Sequence, residues 1–261
     1  MKRTYLLTVE EPLYTHLLLE PVLASGVIEV GGVSILHPRV GFRRYLTTLA
    51  TLGMTRCAFA GLAQFYPSFF KTSVATLLRK HQVSSELIAQ VADVNGPAHV
   101  TTLKASGCSL MLALNCPQLL TPAVLEQFSG GVLNVHFGML PRYRGVMPAY
   151  HALLAGESSF GVTIHLMDKR IDNGPILAQR AVAILSDDTL PDLYQRGFKV
   201  AGRMLVEVFE ELAAGSVTAM PNDRCDATYY GQPTVRSLVS YTALAFRRWV
   251  ASFRIDSRGT R

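Results

Sequence analysis

Three polar residues sit at the ends of apolar runs that read as strands. Asn134 and His136 close the run Val132 to His136, and residues two apart on a strand project to the same side. Asp172 lies in the turn Ile171-Asp172-Asn173-Gly174-Pro175 between two later runs. Singly, each has an ordinary structural explanation: an asparagine caps a turn, a lone histidine is satisfied in a core, and Asp-Asn-Gly-Pro is turn chemistry. Together they supply an amide donor, a group that titrates near neutrality and a carboxylate. That set suits acyl transfer: the amide meets a developing oxyanion, the imidazole moves protons, and the carboxylate orients and charge-stabilises the imidazole.

Other chemistries lack their signatures. There is no Gly-x-Ser-x-Gly elbow for a covalent acyl-enzyme, no Gly-x-x-x-x-Gly-Lys-Ser/Thr loop and no Gly-x-Gly-x-x-Gly fingerprint. His136, His151 and His165 are scattered without metal-ligand spacing, so no metal is expected. The four cysteines (Cys57, Cys108, Cys116, Cys225) contain no Cys-x-x-Cys pair and read as reduced, structural residues.

The elements that must position these groups alternate. Strands are expected at Thr4 to Val9, Val27 to Leu36 (with a bend or bulge at Gly31-Gly32), Gln90 to Val94, Cys108 to Leu114, Val132 to His136, Gly161 to Met167 and Ile176 to Ile184. Helices are expected from an early Pro12 through Leu23, over much of Arg43 to Lys80, from the Asn95-Gly96-Pro97 turn to Ala105, from Pro117 to Phe128, and from Thr189 to Ala214. Cys108 to Leu114 is continuously apolar, as a parallel strand covered on both faces would be. The alternation predicts an α/β fold with a doubly wound, mostly parallel sheet. Ligands of such sheets bind beyond the carboxyl ends of the strands, near the point where strand order reverses.

Composition narrows the setting. About half of the 261 residues are apolar and 17% are charged, as in a globular protein with a sizeable core. No apolar run is long enough to span a membrane, and the start reads as a first strand and not a signal peptide, so a cytoplasmic location is expected. Much of the net charge of +6 lies in the last forty residues, where Arg224, Arg236, Arg247, Arg248, Arg254, Arg258 and Arg261 face only Asp223, Asp226 and Asp256. Without interleaved aromatics this reads as a solvated basic tail and not a nucleic-acid site. Residues 1–220 form the expected catalytic domain, and 221–261 a short C-terminal appendage.

Asn134-Val135-His136-Phe137-Gly138-Met139-Leu140-Pro141-Arg142-Tyr143-Arg144-Gly145 resembles the Asn-x-His-x-Ser-Leu-Leu-Pro-x-x-x-Gly signature of the folate-dependent formyltransferases. Gly161 to His165, followed by Asp172-Asn173-Gly174-Pro175-Ile176, resembles that family's second signature, and the two occur in the family's order and spacing. The likeness is close from about Leu87 to Leu212; Gly138 and Met139 depart from the usual Ser-Leu. The resemblance implies a Rossmann-like fold, N10-formyltetrahydrofolate as donor and a free amine as acceptor. It implies that Asn134 polarises the formyl carbonyl, that His136 stabilises the tetrahedral intermediate and helps proton transfer, and that Asp172 pairs with His136. It further implies a folate pocket along Asn115, Cys116, Pro117, Gln118 and Leu119 and along Asp168, Arg170 and Ile171. The acceptor would be bordered by Leu140, Arg142, Arg144, Gly145 and Pro148.

Within that family, the methionyl-tRNA enzymes carry a C-terminal barrel larger than the forty residues after Pro221. The glycinamide ribonucleotide enzymes have a Gly-Ser-Gly-Ser first loop where this chain has Val9-Glu10-Glu11-Pro12. Ala227-Thr228-Tyr229-Tyr230 with Pro233 resembles the tails of amino-sugar formyltransferases, so a nucleotide-linked amino sugar is the expected acceptor, with glycan biosynthesis as the setting. A methionyl-tRNA-type enzyme without the barrel, a formyltetrahydrofolate hydrolase and a non-catalytic folate-binding module are the alternatives. A homodimer is left open.

Overall fold

The computed structural model describes residues 1–11, 13–36, 73–223 and 225–256. Strand β1 (Lys2–Val9) is buried from Thr4 onward, and its side chains alternate between two cores. Leu6 joins one core; Tyr5, Leu7 and Val9 join the other. A strand with helices over both faces needs apolar groups on both sides, hence its unbroken apolar reading. Parallel neighbours flank it: β2 (Ile28–Leu36) with β3 (Ile88–Val91) outside, and β4 (Leu110–Ala113) with β5 (Val132–His136) outside. Strand order reverses between β1 and β4.

After a two-residue strand β6 (Arg144–Gly145), the chain adds β7 (Ser159–Leu166) and β8 (Ile176–Ala183) beside β5, completing a seven-stranded sheet. β7 runs antiparallel to both its neighbours, the one reversal in a sheet that is otherwise parallel in direction. Helices α1 (Thr15–Ser25), α2 (Val74–Lys80), α3 (Pro97–Ala105), α4 (Pro122–Leu125), α5 (Pro148–Leu154) and α6 (Leu190–Ala214) cover the two faces. α6 starts on a capping box of Thr189 and Asp192 and ends at Gly215 in the left-handed region.

The Gly31-Gly32 irregularity is a bulge: Thr4 pairs with Val30 and Tyr5 with Gly32, leaving Gly31 unmatched. Two expected elements differ. The Gln90–Val94 strand is Ile88–Val91, and the Pro117–Phe128 helix shrinks to α4. Residues ahead of α4 are instead held by side-chain amides. Gln118 accepts from the Val94 amide (2.9 Å) and donates to the Ala92 carbonyl (2.8 Å), while Asn95 donates to the Leu119 carbonyl (2.9 Å) and accepts from the Thr121 amide (2.9 Å). Of the helix expected over Arg43 to Lys80, Val74–Lys80 is present, whereas positions 43–72, with Cys57, and also Pro12 lie outside the described residues.

The C-terminal segment packs onto this body. β9 (Tyr229–Tyr230) pairs in parallel with β6, and α7 (Val235–Asp256) buries Tyr241, whose hydroxyl accepts from the Leu190 amide (3.3 Å). Arg248, expected in a solvated tail, donates to the Leu185 (2.7 Å) and Asp188 (3.1 Å) carbonyls.

Candidate active site

The antiparallel pairing of β5 and β7 sets Asn134 opposite His165 and His136 opposite Thr163. His165 Nδ1 donates to the Leu166 carbonyl (2.9 Å), so its Nε2 accepts from Asn134 Nδ2 (3.1 Å). This fixes which end of the Asn134 amide is nitrogen and leaves its second N–H for a ligand. His136 Nε2 donates to the Tyr143 carbonyl (2.7 Å), so its Nδ1 faces Asp172 Oδ2 (3.5 Å). Asp172 Oδ2 also accepts from the Gly145 amide (2.8 Å), and Oδ1 lies 3.6 Å from His165 Nε2. The three side chains singled out from sequence therefore converge, with His165 as a fourth member.

Burial moves His136 below the ordinary histidine range, outweighing the opposing pull of Asp172 and the Tyr143 carbonyl. Burial alone would raise Asp172, but the neighbouring His165 and His136 rings and the hydrogen bond from the Gly145 amide hold it below the usual carboxylate range. The resting pair is a neutral imidazole beside a carboxylate. Its frame is held in an unusual backbone: Asn115, Tyr143, Met147 and Asp172 all have positive φ. Such residues cost about 1–3 kcal/mol each, and they gather here where side chains must be aimed against local preference. Gly145, at φ +96, could not be replaced freely, since a Cβ would stand 2.3 Å from the Tyr230 carbonyl oxygen.

The group lines a cavity of about 740 Å³. One side is formed by Asn115, Cys116, Pro117, Gln118 and Leu119 together with Asp168, Arg170 and Ile171, all expected there. Gly145 and Pro148 line it as well; Leu140, Arg142 and Arg144 do not. Leu140 is buried, and Arg142 is exposed and pairs with Glu157 (3.5 Å). Arg144 has no exposed surface, and its hydrogen bonds go to groups inside the protein. The alternation of a loop motif does not reveal which arginine turns inward.

The sequence reading missed His165, Tyr230 and an aromatic wall of Tyr14, Tyr194 and Phe198. It noted the Glu10-Glu11 carboxylates but not their place: Glu11 lines the cavity and accepts from the Leu13 (2.7 Å), Tyr14 (2.8 Å) and Thr15 (2.9 Å) amides, so the chain's own carboxylate occupies the N-terminus of α1. A signal for His165 existed, since it stands two residues from Thr163 and so on the same face of the strand. Its partner depended on an antiparallel register that alternation alone does not disclose.

The model of the formyl transferase family matches residues 70–209, more than half of the chain. The chain belongs to the formyl transferase family. Methionyl-tRNA formyltransferase from Nitratidesulfovibrio vulgaris is 33% identical over 147 residues, covering 56% of this chain and 44% of the relative. That from Aromatoleum aromaticum is 34% identical over 145 residues, covering 56% and 46%. The chain thus spans under half the length of these relatives. Among solved structures, glycinamide ribonucleotide transformylase 1 from Symbiobacterium toebii matches at TM-score 0.61 and 21% identity over 84% of this chain and 94% of that one. A sugar N-formyltransferase from a Shewanella species matches at TM-score 0.60 and 15% identity over 93% and 87%. At these identities the likeness to solved structures is one of fold. Among the described residues of this family member, no helix is long and apolar enough to cross a membrane, and no cluster of His, Cys, Asp and Glu is built to hold a metal.

Proposed function

We propose that the chain moves the formyl group of N10-formyltetrahydrofolate to a primary amine, and that this amine belongs to a nucleotide-linked amino sugar. The convergence of Asn134, His136 and Asp172 in one cavity carries the reading. The donor brings an activated formyl carbon. Leu119 and Ile171, large apolar side chains left exposed at the cavity, offer walls that a flat ring would cover. The attacking amine is neutral, and its lone pair forms the new C–N bond as the carbonyl electrons move to oxygen. The second N–H of Asn134 meets that oxyanion, a contact worth on the order of 3 kcal/mol in comparable sites. His136 Nδ1 takes the proton released by the amine, and Asp172 stabilises the resulting imidazolium. When the bond to N10 breaks, the same proton passes to the departing nitrogen.

For the acceptor, the occupied α1 terminus supports a ligand without a phosphate at that spot, and β9 brings the Thr228-Tyr229-Tyr230 segment beside the loop that follows His136. An N-formyltransferase of this fold from Helicobacter canadensis was solved with folinic acid and dTDP-3-aminofucose (TM-score 0.59, 15% identity). A second reading, methionyl-tRNA as acceptor, has the 33%-identical relatives in its favour.

The experiment is incubation with N10-formyltetrahydrofolate and, separately, nucleotide-linked amino sugars, methionyl-tRNA or no amine, following folate release and product mass. A formylated sugar nucleotide is expected. Formylation of methionyl-tRNA alone selects the second reading, folate release without amine selects a hydrolase, and no release in any arm leaves a folate-binding module.

A further inference from the structure

Arg144 is among the largest side chains without exposed surface in the described residues. Nη1 donates to Asn173 Oδ1 (2.9 Å) and the Tyr229 hydroxyl (2.7 Å), and Nη2 to Asn222 Oδ1 (2.8 Å), with longer contacts to the Asn222 (3.3 Å) and Asp223 (3.5 Å) carbonyls. The guanidinium also lies over the Tyr229 ring at 5.4 Å. These hydrogen-bond partners are all neutral groups, so the desolvation of the cation is offset by hydrogen bonds and not by an ion pair among them. What the acceptors share is their place. Asn173 follows Asp172 directly, while Asn222, Asp223 and Tyr229 all belong to the C-terminal segment.

That segment in turn grips the Asp172 turn. Asn222 Nδ2 donates to the Asp172 (3.0 Å) and Gly174 (3.0 Å) carbonyls, and the residue after Arg144 gives its amide to the Asp172 carboxylate (2.8 Å). Asn173 passes the chain onward, donating to Asp168 Oδ2 (2.7 Å). Asp172 sits at φ +46, in the left-handed region, where the hydrogen bonds to its carbonyl and carboxylate hold it.

We propose that Arg144 is a positioning residue which, through Asn222 and Tyr229, makes the C-terminal segment part of the catalytic centre by holding the Asp172 carboxylate against His136. Its catalytic meaning rests on the function proposed above; its structural content does not. A fork of donors is needed because the acceptors come from three separate stretches of chain, and a lysine ammonium lacks that planar reach.

The test is a mutant cycle with two readouts. The first needs no substrate: the ring-nitrogen NMR resonances of His136, assigned with His136→Asn, report whether Asp172 still faces Nδ1. Arg144→Met is expected to move them to where Asp172→Asn moves them, and the double variant is expected to add nothing further. Arg144→Lys, which keeps the charge and loses the fork, is expected to follow Arg144→Met. If Arg144→Met does not fold, Asn222→Ala and Tyr229→Phe each loosen part of the clamp and should displace the same resonances by a smaller amount. Wild-type resonances in Arg144→Lys, or in both milder variants, overturn the proposal.

The second readout is kinetic, with the amine acceptor that the panel identifies. Arg144→Lys should lower kcat at least about tenfold with KM for N10-formyltetrahydrofolate unchanged within about threefold, and should add nothing to the loss in Asp172→Asn. Losses that multiply independently overturn the proposal. A wild-type protein that transfers no formyl group sinks the functional reading instead and leaves the resonance test to decide this one.

Discussion

At His136, tautomer and charge are both set by neighbours. The Tyr143 carbonyl accepts a hydrogen bond from Nε2–H, and burial keeps the ring neutral with Nδ1 bare. A histidine whose folded value is lowered contributes stability above its unfolded value, and loses it as pH falls through the folded one. The same sign holds for Asp172, also lowered. Activity should therefore fall on the acid side with a midpoint below about 6.5, the ordinary histidine value, as read from kcat/KM against pH. Asn134→Ala, His136→Ala and Asp172→Ala should each reduce kcat by at least about a hundredfold while circular dichroism stays native; near-normal turnover in any of them removes it from the mechanism. Gly138 explains its own departure from serine. A Cβ there would lie 2.7 Å from His136 Nε2 and 2.9 Å from the Tyr143 oxygen. Gly138→Ala should force that hydrogen bond apart and cut kcat at least about tenfold, measured beside an unchanged affinity for 5-formyltetrahydrofolate.

Among the elements, the loop between β1 and α1 shows one device serving two ends. Glu11 satisfies three orphan amides of the α1 terminus, while Glu10 accepts from the Val74 amide (2.8 Å) at the start of α2. Losing the Glu11 carboxylate leaves those amides facing the cavity, so Glu11→Ala should lower stability by about 1–2 kcal/mol, read as an earlier urea midpoint. An unchanged midpoint would mean that water replaces the carboxylate without loss. The pairing of β5 with β7 is the other decisive element, because it alone brings His165 to Asn134.

Over the whole molecule, one cavity receives residues from β1 through β9, so a bound folate would tie distant parts of the chain together. At about a hundredfold excess over Kd, 5-formyltetrahydrofolate should add about 2.7 kcal/mol, seen as a rise in Tm that Asn134→Ala retains, and no shift at any concentration would deny the pocket its ligand. The amino-acid sequence by itself pointed to the sheet, the family and three polar side chains that converge in one cavity, because apolar alternation and two local motifs state these over short stretches of chain. It also named two loops that line the cavity, whose residues are nearly contiguous. What it left undecided were matters of pairing between distant segments: the reversal of β7 that recruits His165, the inward turn of Arg144 onto Asn173, Asn222 and Tyr229, and the seating of Glu11 on α1. A motif specifies which side chains are near in sequence. Only the packed tertiary structure settles which way each one faces, since that depends on partners tens of residues away.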